Sequence, residues 1–586
     1  MRVTDDLLNY YERELVYLRD QGAEFARRHP RVAGRLGFGG AESSDPHTER
    51  LIEAQAFLAA RVHRDLDREF PQFAAALLDN LCPTLGQPVP AMSVAALQLD
   101  PSQGKITAGF SVPRHTVLVA QGAGGEQCRL RTAWDSVLWP LQVAETRLVE
   151  GRELRVRVRC EPGNDLAELE LDRLRLHLHG DWTQTMPLYD LLVAGVAGIV
   201  LRTADGAVQR LSLRHWRELG FDADDTVLPV PPHADPAYAL LQEYFAFPRK
   251  FHFFELGGLL GRLGSGSEFE IGFELKATAP LPPRLDAQAL RIGCVPVINL
   301  FNRSSEPIRV DGRQHEYLLV ADYQREAHTE VHSIVTVHAS DPDAERACIV
   351  PPFAALDPDA PDAAAGMFWS ARREPSGRAA VPGSEMWLAF VDARHAPASL
   401  ATAVVHADVL CTNRRLAEQL APGTRLRAEG MSTALGARCL YQPSPQRAAP
   451  LSAQAMWQLV SLLRLNHGSL FDDGSDGGRL RALLALFTDG GAHDQAQIRG
   501  LRRLVARPGL AHVGQDAWRG HRRGTDIEIG FDEEAFAGGS PLLLSAVLAR
   551  FFALYTTLNA FARLTVRRRD ETWHQWPPIS GRQPLL

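Results

Sequence analysis

The stretch RELRVRVRC, Arg152–Cys160, alternates from Leu154 onward between an apolar residue and an arginine. A period of two places successive side chains on opposite faces of a β-strand, so that one face is buried and the other is solvated. The stretch DRLRLHLHGD, Asp172–Asp181, repeats the pattern with leucine at every second position. Strands with one solvent-exposed face and one buried face are typical of antiparallel sheets, and we predict such sheets in the middle of the chain.

The same reading extends from these strands toward both ends. The stretches GFSVP, TVLVAQ and CRLRTAWDSVLWPLQVAE also predict strands, and the period of two begins near Met92. Helical patterns return after Pro450, and TDIEIGFDEEAF predicts one more strand. A long helix is predicted after Gly539, because Ser540 can cap it and Pro541 suits its first turn.

Before Met92 the apolar residues recur at steps of three and four, the period of an amphipathic helix. The stretch YYERELVYLRDQGAEFARRHPRVAGRLGF, Tyr10–Phe38, predicts a first helix that ends at Pro30. A second helix begins at DPHTERL, and we expect it to end at Pro71. The apolar stripes are Tyr11, Leu15, Leu18 and Phe25 in the first helix, and Leu51, Leu58, Val62 and Leu66 in the second.

These patterns together predict an α+β, multi-domain protein. We expect an N-terminal helical region over residues 1–88, followed by antiparallel β-rich domains over 89–285 and 286–405. A mixed α/β region is expected over 406–586, where helical and strand patterns occur together.

The eight stripe residues are our candidate protein interface. Narrow stripes on highly charged helices are typical of helices that pack against partner helices in a bundle. A second interpretation stays open, in which the stripes pack on the protein's own domains. Glu12, Arg13, Glu14 and Arg19 lie beside the first stripe and could select the register and the partner.

Composition narrows the possible functions. The chain has 586 residues and a net charge of −7, and a protein that binds nucleic acid usually shows a basic excess instead. Neither a signal peptide nor a segment suited to membrane insertion is evident. The seven cysteines are scattered singly without a CxxC motif, which predicts reduced thiols in the cytoplasm.

Candidate chemistry is sparse. His177 and His179 stand two residues apart on one strand face, where two imidazoles could bind a metal ion. Arg173 and Arg175 share that face and would repel a cation, so a solvated strand face is the better interpretation. The sequence has no phosphate-binding glycine loop, no zinc-protease motif and no nucleophile elbow. We therefore predict no catalytic, cofactor-binding or metal-binding residues.

Long blocks of the sequence resemble the TssF family, also called ImpG or VasA, in the same order along the chain. The blocks are the two N-terminal helices, CRLRTAWDSVLWPLQV, LQEYFAFPRKFHFFEL, PVINLFNRSSEPIRVDGRQHEYLLVAD, CTNRRLAEQL, RGTDIEIGFDEEAFAGGSPLLLSAVLARFFALYTTLNAFARLTVR and the ending WPPISGRQPLL. Because each block is long, the resemblance covers nearly the whole chain.

TssF proteins are baseplate subunits of the bacterial type VI secretion system, a contractile, phage-tail-like injection machine. The resemblance implies a structural subunit without enzymatic activity or cofactor. Its implied partners are TssG, TssE, TssK and a second TssF copy, which together form a wedge. Wedges surround the VgrG spike, and the contractile sheath assembles on this baseplate, which is cytoplasmic and docked to the inner-membrane complex.

The β-rich pattern leaves one alternative in another class. A carbohydrate- or nucleotide-handling enzyme could use a β-rich binding domain with a site that no motif reveals. Stable co-purification with TssG, TssE and TssK would favour the structural subunit, and a partner-free monomer would favour the enzyme.

Overall fold

The structure is a computed structural model. It describes residues 3–36, 46–100, 105–231, 234–311, 313–340, 347–353, 367–392, 403–431, 435–463, 470–471, 476–512, 521–554, 556–568 and 571–581. Helices and antiparallel sheets both occur, and the helical N-terminal region precedes the sheets. The predicted α+β, multi-domain class is therefore confirmed.

The N-terminal region contains a pair of long antiparallel helices. Its helices are α1 (Val3–Arg28), α2 (Pro30–Leu36), α3 (Pro46–Leu81) and α4 (Pro83–Gly86). Helices α1 and α3 pack on each other. The Arg19 Nε group donates to Glu49 at 3.2 Å, and the His63 ring lies 2.7 Å from a carboxylate oxygen of Glu14.

Helix α3 continues through Pro71, so the predicted break at that proline is wrong. Proline removes one N–H from the helical ladder and crowds the preceding turn, at a cost of about 3 kcal/mol. Packing on both sides of the proline offsets this cost. Ala56 and Ala60 are fully buried before it, and Ala74 and Leu78 belong to the main core after it.

A closed barrel joins distant parts of the chain. Its strands, in order around the barrel, are Met92–Leu99, Cys294–Ile298, Gln127–Thr132, Val117–Gln121, Arg425–Ala428 and Leu435–Cys439. These strands come from all three predicted segments 89–285, 286–405 and 406–586. The barrel thus ties the segments together, and their division into domains stays a prediction.

Two antiparallel sheets are inserted between the barrel strands Gln127–Thr132 and Cys294–Ile298. A separate strand pair joins a strand before the barrel strand Val117–Gln121 to one after Gln127–Thr132. The larger sheet contains, in order, Val208–Leu211, Val196–Thr203, Glu268–Leu275, Glu153–Cys160 and Leu141–Val149. The smaller contains Trp216–Glu218, Phe253–Leu256, Leu174–Leu178 and Leu290–Arg291, and the pair is Phe110–Val112 with Ser136–Leu138. Helices α5 (Trp182–Asp190) and α6 (Pro236–Ala246) lie in the same segment. The alternating stretches Arg152–Cys160 and Asp172–Asp181 contain the strands Glu153–Cys160 and Leu174–Leu178, as predicted.

A two-layer β-sandwich is inserted between the barrel strands Cys294–Ile298 and Arg425–Ala428. One layer contains Phe301–Ser304, Ala403–Thr412, Glu330–Ser340 and Ala347–Val350, and Ile308–Val310 also pairs with Ala403–Thr412. The other contains Glu316–Leu319, Ser384–Asp392 and Met367–Pro375. Val337, Leu388 and Val405 are fully buried in the core between the layers.

The chain enters and leaves the sandwich at two buried asparagines. The backbone N–H of Asn413 donates to the side-chain oxygen of Asn299 at 2.7 Å, and the Asn299 amide donates back to Asn413 at 2.9 Å. The Asn413 side-chain oxygen also accepts from the backbone N–H of Arg129, in a barrel strand, at 2.8 Å. The two asparagines therefore fix the sandwich to the barrel.

The C-terminal region mixes helices with one more sheet, as predicted. Its helices are α7 (Ala453–Leu463), α8 (Gly478–Ala485), α9 (Ala492–Arg499) and α10 (Pro541–Leu554). Its strands are Leu501–His512, His521–Phe531, Phe561–Arg568, Glu571–Gln575 and Ile579–Ser580. Ser540 caps α10 by accepting from the Leu543 N–H at 2.9 Å. Helix α10 connects His521–Phe531 to Phe561–Arg568, which pair in parallel.

The main core runs from the N-terminal region to the C-terminal sheet. Helix α7 packs on α3, so the first and last parts of the chain are in contact. Near this core, Glu243 in α6 and Lys250 in the following turn form an ion pair in which both side chains are fully buried. Glu243 also accepts from the backbone N–H groups of Val227 at 2.7 Å and Leu228 at 2.8 Å.

Candidate protein interfaces

The stripe of the second predicted helix lies on the surface of α3. Leu51 is 71% exposed, Leu58 54%, Val62 56% and Leu66 55%. At 100° per residue these four side chains occupy one face of the helix. Exposed leucines and valines aligned on one helix face form an apolar surface that is expected to pack against another protein. We call these four residues the α3 stripe.

The opposite face of α3 packs within the chain. Ala56 and Ala60 are fully buried, and the helical period places them on the same face as Glu49 and His63, which contact α1. Small alanines let two helix backbones approach closely. Since α1 covers this face, the α3 stripe points away from α1 and remains uncovered in the described chain.

The stripe of α1 is only partly available. Tyr11, Leu15 and Leu18 are half-buried, and Phe25 is exposed. Because α1 packs on α3, the chain itself covers part of this stripe. Tyr11, Leu15 and Leu18 are therefore partly covered by the packing of α1 on α3.

Two of the charged residues beside the first stripe are bonded within the chain. Glu14 is buried and contacts His63, while Arg19 pairs with Glu49. These contacts fix the register of α1 on α3 within the chain. Glu12 and Arg13 are exposed.

Sequence reasoning missed several exposed apolar side chains on the same helix pair. Val16 and Tyr17 of α1 and Phe57 of α3 are exposed, although they fall outside the predicted stripes. A period-based search selects one face of each helix, so residues on the other faces escape it. They widen the apolar surface of the N-terminal region beyond the α3 stripe.

The histidines considered for metal binding occupy a buried polar cluster. His177 is fully buried, so the solvated strand face assigned to it is wrong. The Tyr441 hydroxyl lies 3.2 Å from His177 Nε2 and 3.0 Å from His179 Nδ1. The Arg249 guanidinium stacks 3.7 Å from the centre of the Tyr441 ring. Within the described ranges, no group of three or more histidine, cysteine, aspartate or glutamate side chains has an arrangement that could hold a metal ion.

His252 lies in the same cluster and is fully buried. Neither of its ring nitrogens has a hydrogen-bond partner among the described residues. Its ring lies between those of Trp182 and Tyr189, with centroid distances of 5.6 and 6.4 Å. Burial, together with the positive charge of Arg249, lowers the pKa of His252 to about 3.

We predict that His252→Phe reduces the loss of stability at acidic pH. An unfolded histidine titrates near pH 6.5, so between about pH 6.5 and 3 the unfolded state binds a proton that folded His252 does not. Stability is therefore lost as the pH falls, by about 1.4 kcal/mol per pH unit in this window. The melting temperature at pH 5 relative to pH 7.5 should fall less in the variant than in the parent protein. An equal fall in both would contradict the assignment.

The sequence resembles known proteins along its whole length. A sequence profile described as type VI secretion system, TssF, matches residues 3–583. The chain belongs to the TssF family. It is 36% identical to the type VI secretion system component TssF1 of Pseudomonas aeruginosa, over 99% of each chain. The resemblance found in the sequence is thereby confirmed.

Solved structures place TssF-family folds in baseplates. A chain of the type VI secretion system TssK-TssF-TssG baseplate subcomplex superposes with a TM-score of 0.71 and 25% identity, over 90% of this chain and 98% of that one. A chain of the baseplate complex from the type VI secretion system has the same fold, with a TM-score of 0.58 and 22% identity over 99% and 100%. This TssF-family chain is a structural component of the type VI secretion baseplate.

No helix in the described part of this TssF-family chain combines the length and the apolar character that crossing a membrane requires. Its apolar surface is instead concentrated on the N-terminal helix pair, where the α3 stripe follows one helix face. For a baseplate component, that surface is the first candidate for contact with another subunit.

Proposed function

We propose that this chain is a wedge subunit of the baseplate and that the α3 stripe is its main helical contact with TssG. In this proposal TssK, TssE and a second TssF copy complete the wedge, and the wedges surround the VgrG spike. The assembled baseplate would support sheath assembly in the cytoplasm, docked to the inner-membrane complex. Support for TssG and TssK comes from the related TssF chain, which occurs in a TssK-TssF-TssG subcomplex.

The exposure of the α3 stripe is the observation that carries this proposal. Leu51, Leu58, Val62 and Leu66 keep more than half of their surface in water, although they form one continuous helix face. Burying a leucine or valine completely contributes about 1.5–3 kcal/mol. Four such side chains on one helix could therefore supply much of the free energy of a specific helix–helix contact.

The geometry of the pair suits a bundle. Helix α1 covers the inner face of α3, so an incoming helix would find the outer face free along Leu51–Leu66. The half-buried Tyr11, Leu15 and Leu18 would contribute only at the edge of such a contact. Of the two predicted stripes, the α3 stripe is therefore the one that we propose as the main contact with a partner.

The proposed role is structural and not enzymatic. Two cavities, one lined by Leu319 and Glu326 and the other by Arg129 and Phe301, have volumes of about 20 and 10 Å³, which is space for about one water molecule. The proposed subunit acts through its surfaces, and the carbohydrate- or nucleotide-handling enzyme stays the alternative.

We predict that Leu58→Asp combined with Val62→Asp abolishes co-purification with TssG. Both side chains are exposed in the free chain, so the carboxylates are solvated and the fold is retained. In the complex they would be buried without a partner, which costs several kcal/mol for each charge. The measurement is a pull-down with co-expressed TssG and TssK, with circular dichroism and a melting curve of the same variant.

The matched control is Val335→Asp combined with Ile349→Asp, on the sandwich. These residues are each 58% exposed, so the control makes the same chemical change at a similar exposure. Binding that survives in the control but not in the α3 variant supports the proposal. Binding that survives in both variants refutes the α3 stripe as the contact. Leu15→Asp with Leu18→Asp should instead weaken the packing of α1 on α3 and lower the melting temperature.

A further inference from the structure

A group of arginines lies on the outside of the closed barrel. The barrel strands Arg425–Ala428 and Leu435–Cys439 pair in an antiparallel arrangement, with alternate side chains buried in the barrel core. The side chains between the buried ones point outward, because successive residues of a strand face opposite ways. Three of them are exposed arginines: Arg425, Arg427 and Arg438. We call these three residues the arginine patch.

Two of these arginines place the same charge at directly opposed positions. Arg425 pairs with Arg438 across the two strands, where the Cβ atoms of such a pair lie about 4.5–5.5 Å apart. Like charges in that position destabilise a sheet unless another group compensates them. Within the part of the chain that the structure describes, neither guanidinium has an ion-pair partner. Arg427 lies 4.0 Å from the exposed Glu429, so the patch as a whole keeps a positive charge.

The neighbouring barrel strands bring no charge to the positions beside the patch. Arg438 pairs with Ala96 of the next strand on one side. Arg427 pairs with Val119 of the next strand on the other side. Gly436, two residues before Arg438 on the same face, has no side chain. The positions that flank the patch are thus small or apolar, and they leave the guanidinium groups open to a ligand.

Another sheet of the same chain shows how an opposed arginine pair is compensated internally. Arg147 and Arg155 also pair directly across two strands. The Glu270 carboxylate lies 3.8 Å from Arg147 and 3.6 Å from Arg155. The Glu153 carboxylate lies 2.7 Å from Arg155. At the opposed pair of the arginine patch, no carboxylate among the described residues lies within ion-pair distance, so the compensating group has to come from outside the chain.

The spacing of the patch fits carboxylates on an extended peptide. Arg425 and Arg427 are two residues apart on one strand, which separates them by about 6.6–6.8 Å. Alternate side chains of an extended segment have the same spacing and lie on one face. Guanidinium groups bind carboxylates through paired N–H···O hydrogen bonds. A nucleic-acid strand would need a longer basic track, whereas Glu429 at one end and Ala96 at the other limit this patch to three side chains.

We propose that the arginine patch binds an acidic segment of another protein, in which aspartate or glutamate recurs at every second position. One carboxylate of this segment lies between Arg425 and Arg438 and relieves their repulsion, and the next carboxylate reaches Arg427. The inference rests on the proposed function, because a baseplate subunit acts through contacts with other proteins, but it does not use the α3 stripe. The contact weakens as the salt concentration rises, since the charged groups are exposed.

Fluorescence anisotropy tests the proposal on the full chain, with a labelled peptide that alternates glutamate and serine as the probe. At low salt the parent protein should bind this peptide and should not bind a peptide that alternates glutamine and serine. Arg425→Gln combined with Arg438→Gln should weaken binding by about tenfold or more, because two charge-assisted contacts are lost. The same variant should melt no lower than the parent, since the repulsion between the two arginines is also removed. A purely structural role of the pair would instead lower the melting temperature.

The matched control is Arg284→Gln with Arg309→Gln, which removes the same charge at exposed positions outside the barrel. It should leave peptide binding within about twofold of the parent. The inference is overturned if the parent does not prefer the glutamate peptide, if the patch variant binds that peptide as well as the control does, or if single-stranded DNA of equal charge binds the patch more tightly than the peptide. Leu58→Asp with Val62→Asp should leave peptide binding unchanged, so failure of this inference is distinguishable from failure of the proposed function.

Discussion

Lys250→Met is expected to lower the melting temperature by on the order of 10 °C. The substitution leaves the Glu243 carboxylate buried without its counter-charge, in a site where both side chains are fully inaccessible to water. Removing one partner of a buried ion pair typically costs about 3–5 kcal/mol. For a cooperative unit of 150–250 residues, each kcal/mol shifts the melting temperature by about 2–4 °C. Glu243 also accepts hydrogen bonds from two backbone N–H groups, so its side chain cannot move toward solvent without losing those bonds as well.

A double variant separates the buried charge from the loss of packing. Glu243→Gln keeps an oxygen for the N–H groups of Val227 and Leu228 but removes the negative charge. Combined with Lys250→Met, it should recover much of the lost stability, because no unpaired charge remains. Arg210→Met, which breaks the exposed ion pair with Glu274, should change stability by only about 0–1 kcal/mol. If the single and double variants melt together, the buried charge is not the cause.

Asn413→Ala is expected to cost roughly 2–6 kcal/mol and to loosen the sandwich from the barrel. The substitution leaves two N–H groups without the acceptor that they share, the backbone N–H of Arg129 and one N–H of the Asn299 amide. The other N–H of that amide still donates to the Arg129 carbonyl at 2.7 Å. Each buried donor left unsatisfied costs about 1–3 kcal/mol. Both donors belong to the barrel side of the junction, so the attachment of the sandwich is weakened while its own core stays intact. The bond from the Asn413 backbone N–H to the Asn299 side chain remains in the variant. Hydrogen exchange should rise at residues 299–300 and 413–414, and at the adjoining strand ends, more than in the middle of the sandwich strands.

Asn302→Ala is the control for this junction. Asn302 lies in the first strand of the sandwich, three residues from Asn299, but its side chain is exposed. Its replacement should leave both exchange and melting close to the parent. Equal protection of residues 413–414 in the two variants would show that the paired asparagines do not hold the sandwich.

The sequence predicted elements whose pattern is local. Leu154, Val156 and Val158 are fully buried on one face of their strand, as the period of two requires. Ser540 caps α10 because the capping signal lies within three residues of the bond it makes. The stripe of α3 was found in the same way, since its period needs no knowledge of the rest of the chain.

What the sequence did not predict depends on contacts between distant segments. His177 appeared to lie on a solvated strand face because nothing near it indicates that Tyr441 covers it. Helix α3 crosses Pro71 because packing at both ends outweighs a local penalty. Likewise, the sequence could not show whether the stripe of α1 packs on the same chain or on another protein, because a helix has the same apolar period in both cases. Glu14 and His63, which are far apart in sequence, decide part of that assignment.

The closed barrel has a consequence for the order of events during synthesis. Its first strand starts at Met92, and its last, Leu435–Cys439, pairs directly with that first strand. At ~5–20 residues per second, the ribosome completes the last strand roughly 20–70 s after the first. Throughout that interval the strand Met92–Leu99 has at least one unpaired edge, and it has two until Cys294–Ile298 is made. An unpaired edge is a template for wrong pairing. The barrel therefore closes late in synthesis, and any product that terminates before Leu435 keeps the edge open permanently.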